Sequence, residues 1–196
     1  MINLAEFPEL IVQQEVEHLE AFTGFETENR YTVLTADGEP LLHAWEESGA
    51  LSRQFLKAHR PLALHVVDQD GQPVLAVDRN FYWLLSHLRI ADGEGRPLGS
   101  LNRHFAFPGR KFTLDDPAGG GLLELKGSLF RPNTFMFLRE GTEVARITKQ
   151  WGGILREAAT DADTFVIEKD TDAIDEHMSL LILACAFAID LEFFES

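Results

Sequence analysis

Five stretches between residues 31 and 150 repeat one pattern: a mainly apolar, strand-like run, a turn that contains glycine, and a second strand-like run. The stretches are YTVLTADGEPLLHAWEE, LALHVVDQDGQPVLAVDR, SHLRIADGEGRPLGSLNR, RKFTLDDPAGGGLLELKG and TFMFLREGTEVARITKQ. Glycine supplies the positive φ or the bulge that a tight hairpin needs, so each stretch predicts a β-hairpin. A further run, TFVIEK at residues 164–169, adds another strand and brings the count close to twelve.

The amino-terminal segment has a different spacing. Between residues 6 and 22, apolar side chains recur on one helical face, namely Ile11, Val12, Val16, Leu19 and Phe22. This spacing predicts an amphipathic helix. Because its polar face is acidic, whereas helices that lie on membranes are rich in basic residues, we expect it to pack on the body of the protein. A partner-binding or membrane-surface helix is the alternative.

Near the carboxyl terminus, the run LLILACAFAI at residues 180–189 is apolar on every helical face. A membrane-spanning helix needs about 20 mainly apolar residues, and lengthening this run to residues 178–194 brings in Asp190 and Glu192. A helix that is apolar all round must nevertheless be surrounded. About twelve antiparallel strands can close around one helix, so we expect a central core helix. A membrane anchor and a partner-binding helix are the alternatives.

Together these patterns predict one mainly β domain over residues 1–196. We expect a closed antiparallel barrel of about twelve strands around a buried C-terminal helix, with the N-terminal amphipathic helix packed outside. The expected boundaries are 1–29 for the N-terminal helical segment, 30–175 for the barrel strands and 176–195 for the central helix.

Charge and cysteine content narrow the partners and the compartment. The chain carries 17 basic and 32 acidic side chains, a formal charge of −15. Such a negative field repels phosphate backbones, so we expect no nucleic-acid partner, although solubility alone also accounts for the charge. The one cysteine, Cys185, excludes an internal disulfide and favours a reducing compartment. The amino terminus lacks the pattern of a secretory signal, so we expect a cytoplasmic protein, with peripheral membrane attachment as an option.

Several segments carry a resemblance to a known family. The stretch GTEVARITKQWGGILREAATDADTFVIEKDTD, followed by LLILACAFAIDLEFFES, resembles the end of the phospholipid scramblase family, whose members read W-x-G-[IV]-x-R-E-x-x-T-D-A-D-x-F. QQEVEHLEAFTGFETENRYTV and RPLALHVVDQDGQPVLAVDR resemble earlier segments of the same family. The family is related in fold to tubby and the LURP-one-related proteins, which implies a barrel around a buried helix. The resemblance also implies phospholipid binding or calcium-dependent movement of phospholipids between leaflets.

The same resemblance implies a calcium site in DADTFVIEKDTD, the twelve residues that begin at Asp161. Asp161, Asp163 and Asp172 match the carboxylates of the metal loop proposed for the family, and oxygen ligands suit calcium. An EF-hand, however, has glycine at the sixth position, where this chain has Val166, and here Lys169 occupies the ninth. TFVIEK also fits a strand that would hold the carboxylates apart. A low-affinity calcium site and a structural turn before a strand both remain open.

Two further features bear on function. No phosphate loop, nucleophile elbow or pair of metal-binding histidines is visible, so we expect no enzymatic activity. The consecutive aromatic residues Phe81, Tyr82 and Trp83 cannot all face one interior side, which makes them candidates for contact with a membrane or a partner.

Two functions therefore follow from the sequence. The first is a scramblase-family protein that binds phospholipids or moves them across a bilayer with calcium. The second is a soluble barrel that binds a protein or a small lipid-like ligand and performs no membrane transport.

Overall fold

The computed structural model describes residues 2–15, 29–47, 62–79, 87–104, 111–127, 133–150 and 163–193. These ranges contain twelve β-strands, a short 3₁₀ turn (Leu4–Glu6) and one long helix, α1 (Glu176–Phe193). The strands are β1 (Glu9–Gln14), β2 (Arg30–Thr35), β3 (Pro40–Glu47), β4 (Leu62–Asp68), β5 (Pro73–Arg79), β6 (His87–Asp92), β7 (Pro97–His104), β8 (Lys111–Asp115), β9 (Gly121–Gly127), β10 (Thr134–Arg139), β11 (Thr142–Gln150) and β12 (Thr164–Lys169).

The strands form one closed barrel. Each strand pairs in antiparallel fashion with its neighbours along the chain, and β1 closes the sheet by pairing with β12. In the closing ladder Val166 lies between Ile11 on β1 and Thr148 on β11. Every strand therefore has a partner on both sides, which removes the free edges that an open sheet would expose. The prediction of a closed antiparallel barrel of about twelve strands is confirmed.

Side chains alternate between the barrel interior and its outer surface. On β3, Leu42, Ala44 and Glu46 are buried, whereas His43 and Trp45 between them are exposed. This alternation follows from the pleat of a strand, in which successive side chains point to opposite faces. It also carries one acidic side chain, that of Glu46, into the interior.

Helix α1 fills the barrel. Residues 181–189 are each at most 5% exposed and belong to one apolar cluster with the inward-facing strand residues. The side chain of Asp175 caps the helix, since its Oδ1 accepts a hydrogen bond from the Met178 N–H at 2.8 Å. Deeper inside, the Phe187 ring packs edge-on against Tyr31, with ring centroids 5.2 Å apart. The predicted central helix is thus confirmed.

Membrane spanning was one alternative for this segment. Among the residues that the structure describes, no helix has the length and apolar character needed to cross a bilayer.

The five predicted hairpins are confirmed as β2–β3, β4–β5, β6–β7, β8–β9 and β10–β11. Their turns are built from local sequence. In the β4–β5 turn, Oδ1 of Asp68 accepts hydrogen bonds from two backbone N–H groups at 3.0 and 2.9 Å, and Gly71 has a φ of 76°. Asp92 and Asp116 make equivalent bonds in their own turns. Because aspartate stands at the start of each of these turns and glycine at the position with positive φ, the hairpins can be predicted from the sequence.

The prediction of an amphipathic helix over residues 6–22, within a helical segment 1–29, is wrong over residues 9–14. These residues form β1, which pairs with both β2 and β12. Leu10, Ile11 and Val12 are all buried, and two adjacent ladders stabilise the extended conformation that β-branched residues favour. β1 adds one strand to the eleven predicted from the sequence and completes the barrel of twelve, so the barrel begins before residue 30. The rest of the predicted helix, from residue 16 onward, lies outside the described residues.

Candidate functional site

The two ends of the barrel differ in how they join the strands. One end, the turn end, carries the five tight hairpin turns and the start of α1. Six longer connections begin at the opposite end. They follow β1, β3, β5, β7, β9 and β11 and comprise residues 15–29, 48–61, 80–86, 105–110, 128–133 and 151–163. We term this the long-connection end. Because α1 starts at the turn end and runs through the barrel, its last turns lie at the long-connection end.

Several polar side chains meet inside the long-connection end. Asp190, near the end of α1, is fully buried; its Oδ2 accepts a hydrogen bond from the Tyr31 hydroxyl at 2.8 Å. Its Oδ1 lies 3.9 Å from Nζ of Lys149 on β11. The same ammonium group forms an ion pair with the carboxylate of Asp163, just before β12. With Glu46, these residues make up what we term the interior polar cluster.

Glu46 connects this cluster to the beginning of β2. It is fully buried, and its Oε2 accepts a hydrogen bond from Nδ2 of Asn29 at 2.7 Å. Oδ1 of Asn29 in turn accepts a bond from Nε2 of Gln14 at 3.1 Å. Side chains from β1, β2, β3, β11 and α1 thus converge inside one end of the barrel, which fixes the end of the helix against the wall.

Burial controls the charge state of Asp190. It raises the pKa of the carboxyl group from 3.8 to about 6. The Tyr31 hydroxyl and the Lys149 ammonium lower this pKa, while the carboxylates of Asp163 and Glu46 raise it further. Oδ1 of Asp190 has no hydrogen-bond partner within the described ranges, which leaves one oxygen of a buried carboxylate poorly solvated. Asp190 therefore changes charge near pH 6.

The sequence patterns do not single out this cluster, yet they contain a signal for it. Asp190 directly follows the apolar run of a helix that has to be surrounded, so a buried carboxylate with nearby partners is implied. Strand alternation places Glu46 and Lys149 at inward positions, as Ala44 and Ile147 are. The sequence patterns do not contain the register of the barrel strands, which brings Glu46, Lys149 and Asp190 together.

The predicted calcium ligands are not brought together. Asp163 precedes β12 and Asp172 follows it, so the strand holds them about 20 Å apart at ~3.3 Å per residue. Asp163 pairs with Lys149, whereas the Asp172 N–H donates to Oδ1 of Asp170 at 3.0 Å in a turn at the other end. Asp161 lies outside the described residues.

Residues 164–169 are therefore a barrel strand, which does not fit a continuous twelve-residue calcium loop. Within the described ranges, no group of three histidine, cysteine, aspartate or glutamate side chains is arranged to hold a metal ion. Calcium binding stays a prediction.

The candidate contact residues Phe81, Tyr82 and Trp83 lie outside the described residues. They belong to the connection between β5 and β6, and the described residues on either side of it, Arg79 and His87, lie at the long-connection end. Their role stays a prediction.

Comparison with known proteins shows the family. The model of the Scramblase family matches residues 1–196. This chain belongs to the Scramblase family. Phospholipid scramblase 1 of Mus musculus is 34% identical over 98% of this chain and 62% of its own length. Phospholipid scramblase 1 of Homo sapiens is 31% identical over 98% of this chain and 65% of its own length.

A more distant relative of this scramblase-family chain is the Altered inheritance rate of mitochondria protein 25 of Saccharomyces cerevisiae. It is 25% identical over 95% of this chain and 70% of its own length. The chain spans less than two thirds of the length of the mouse and human proteins. No solved structure matches the chain significantly. The family resemblance inferred from the sequence is confirmed.

Proposed function

We propose that this protein binds phospholipids without catalysing a reaction, and that it contacts them with the outside of its barrel at the long-connection end. Two of its relatives are named phospholipid scramblases, which supports lipid as the ligand class. The observation that carries the location is the occupied interior: residues 181–189 of α1 are buried there against the inward-facing strand residues, where an acyl chain would otherwise lie. Lipid contact is therefore assigned to the outer surface and the ends.

Charge favours one connection of the long-connection end, residues 48–61, over the turn end, whereas the connection 15–29 of the same end carries five glutamates and no basic residue. The tight turns carry exposed acidic residues, among them Asp37, Asp70, Glu94 and Glu140, which repel an anionic bilayer surface. The connection 48–61, in contrast, has three basic residues and no acidic residue. The connection 80–86 holds Phe81, Tyr82 and Trp83, and tyrosine and tryptophan are enriched where proteins meet the membrane interface. These features support a membrane-facing long-connection end.

Flotation with liposomes tests this proposal. The purified protein is mixed with vesicles of phosphatidylcholine alone and with vesicles that also contain phosphatidylserine. We expect it to float with vesicles, and we expect Phe81→Ser combined with Trp83→Ser to abolish flotation. Asp70→Ser combined with Glu94→Ser, two exposed residues of the turn end, is the matched control.

The outcomes separate the parts of the proposal. Flotation that both double variants retain would refute the long-connection end as the contact. A protein that floats with neither vesicle would refute phospholipid binding and favour the alternative, a soluble barrel that binds a protein or a small lipid-like ligand.

Calcium dependence and lipid movement are the finer parts of the proposal. Calcium is expected to offset some of the formal charge of −15 and so to increase flotation with anionic vesicles relative to chelator. The measurement combines flotation, calcium titration in a calorimeter, and dithionite-based detection of lipid flipping on the same vesicles. If no heat of binding is detected up to about 5 mM calcium, even a weak calcium site with a dissociation constant of about 1 mM would be refuted. Flotation without flipping would refute transport by the protein alone.

A further inference from the structure

Outward-facing side chains form a row across four neighbouring chain segments at the long-connection end. Arg30 on β2 lies opposite Trp45 on β3, and Trp45 lies opposite His65 on β4. On the other side of Arg30, the Glu15 backbone N–H donates a hydrogen bond to the Arg30 carbonyl at 2.8 Å, which continues the row beyond β1. A carboxylate, a guanidinium group and an indole thus stand side by side on the outer surface.

This row borders a groove with a volume of about 490 Å³, lined in part by Glu15, Arg30, His43 and Trp45. The volume lies within the range of small-ligand sites, which is about 300–1,000 Å³. Within the described ranges, Trp45 is the one large apolar side chain that is exposed, at 36%. An indole that remains in water beside charged groups is available to a ligand.

Neighbouring contacts hold two of these side chains in place. The Trp45 ring packs against the His65 ring with centroids 5.5 Å apart, and Nε2 of His65 lies 3.0 Å from Oε2 of Glu47. At the other end of the row, Oε1 of Glu15 accepts a hydrogen bond from the Thr32 hydroxyl at 2.8 Å. Preorganised side chains lose less conformational entropy when a ligand binds.

We propose that this groove binds the head group of a zwitterionic phospholipid. The Arg30 guanidinium binds the phosphate, because its planar array of donors matches phosphate oxygens. The Trp45 ring binds the quaternary ammonium group through its π face, and the Glu15 carboxylate neutralises the same charge. The inference rests on the proposed phospholipid binding and names a head-group site for it.

The test uses ligands that contain parts of the head group. The indole N–H resonance of Trp45 is followed by NMR while the full chain is titrated with glycerophosphocholine, which has the head group without acyl chains. Parallel titrations use inorganic phosphate and choline. We expect glycerophosphocholine to shift this resonance, and we expect Arg30→Gln and Glu15→Gln each to weaken the apparent affinity at least fivefold. Arg96→Gln, which removes one guanidinium from the turn end, is the matched control and should leave the affinity unchanged.

Three results would overturn the head-group site. The first is no shift with glycerophosphocholine. The second is an equal affinity for inorganic phosphate, which would make the groove a general anion site. The third is the same loss of affinity in Arg96→Gln as in Arg30→Gln.

Liposome flotation distinguishes failure of the head-group site from failure of phospholipid binding itself. If the Arg30→Gln and Glu15→Gln variants float with phosphatidylcholine vesicles as the wild type does, and the groove does not respond to glycerophosphocholine, the head-group site is wrong and phospholipid binding stands. If the wild type floats with no vesicle, phospholipid binding and the head-group site that rests on it both fail.

Discussion

Replacement of Asp190 by asparagine tests the interior polar cluster directly. Asparagine keeps the shape of the side chain and an oxygen that can accept the Tyr31 hydroxyl bond, but it removes the charge. Because the carboxyl group is fully buried, its ionised form is disfavoured in the folded protein. We therefore expect Asp190→Asn to stabilise the protein at neutral and higher pH.

The size of the effect follows from the pKa of Asp190, which is raised from 3.8 to about 6. A difference of about two pKa units, at about 1.4 kcal/mol each, corresponds to about 3 kcal/mol. In the wild type, the neutral Asp190 carboxyl group stabilises the folded state by this amount. Since the folded-state pKa is raised, this contribution of the wild-type residue is fully present below the unfolded-state pKa and is lost as the pH rises through about 6. At pH 4.5 about 2 kcal/mol of it is present, because the unfolded carboxyl group is still mostly ionised there.

The assay is denaturant unfolding of the wild type and Asp190→Asn at pH 4.5 and pH 8. The stabilising effect of the substitution should be about 2 kcal/mol larger at pH 8, since comparison of the two proteins cancels groups that titrate in both. Asp70→Asn, the same change on an exposed turn, is the control. An equal effect at the two pH values, or a larger stabilisation at pH 4.5, would refute the argument that the ionised carboxylate is disfavoured.

Two further substitutions test how the barrel encloses its helix. Gly99→Ala on β7 would place a methyl group 2.4 Å from the Asp115 carbonyl oxygen on β8, so we expect a loss of about 1–3 kcal/mol and a lower Tm; an unchanged Tm would contradict this close approach. Lys169→Met removes the hydrogen bond from the buried ammonium group to the Leu4 carbonyl oxygen at 2.6 Å. Amide hydrogen exchange should then accelerate in the 3₁₀ turn at residues 4–6, and unchanged exchange there would show that another contact holds the turn.

The hairpins are predictable from the sequence because their information is local. Asp68 and Gly71 stand three positions apart, and together they are sufficient to form and terminate the β4–β5 turn. The central helix is predictable for a similar reason, since an apolar surface on all sides has no stable place except a core.

β1 and the interior polar cluster depend on contacts between distant segments. Ile11 and Val12 suit one face of a helix as well as the two faces of a strand, and only pairing with β2 and β12 decides between them. Tyr31, Lys149 and Asp190 are far apart in the chain, so barrel register alone brings them within reach of one another. Local patterns contain no information on that register, which is why this site is not visible in them.

The pairing of β1 with β12 also has a consequence for synthesis of the chain on the ribosome. β1 emerges early, whereas its partner at residues 164–169 and the helix that fills the barrel emerge more than a hundred residues later. Until then the nascent sheet has two unpaired edges and an apolar inner face without its helix, a state prone to association with other chains. Closure through such distant contacts is intrinsically slow. The native barrel therefore forms only after translation has passed the last strand and the helix, and chaperones have a long interval in which to act.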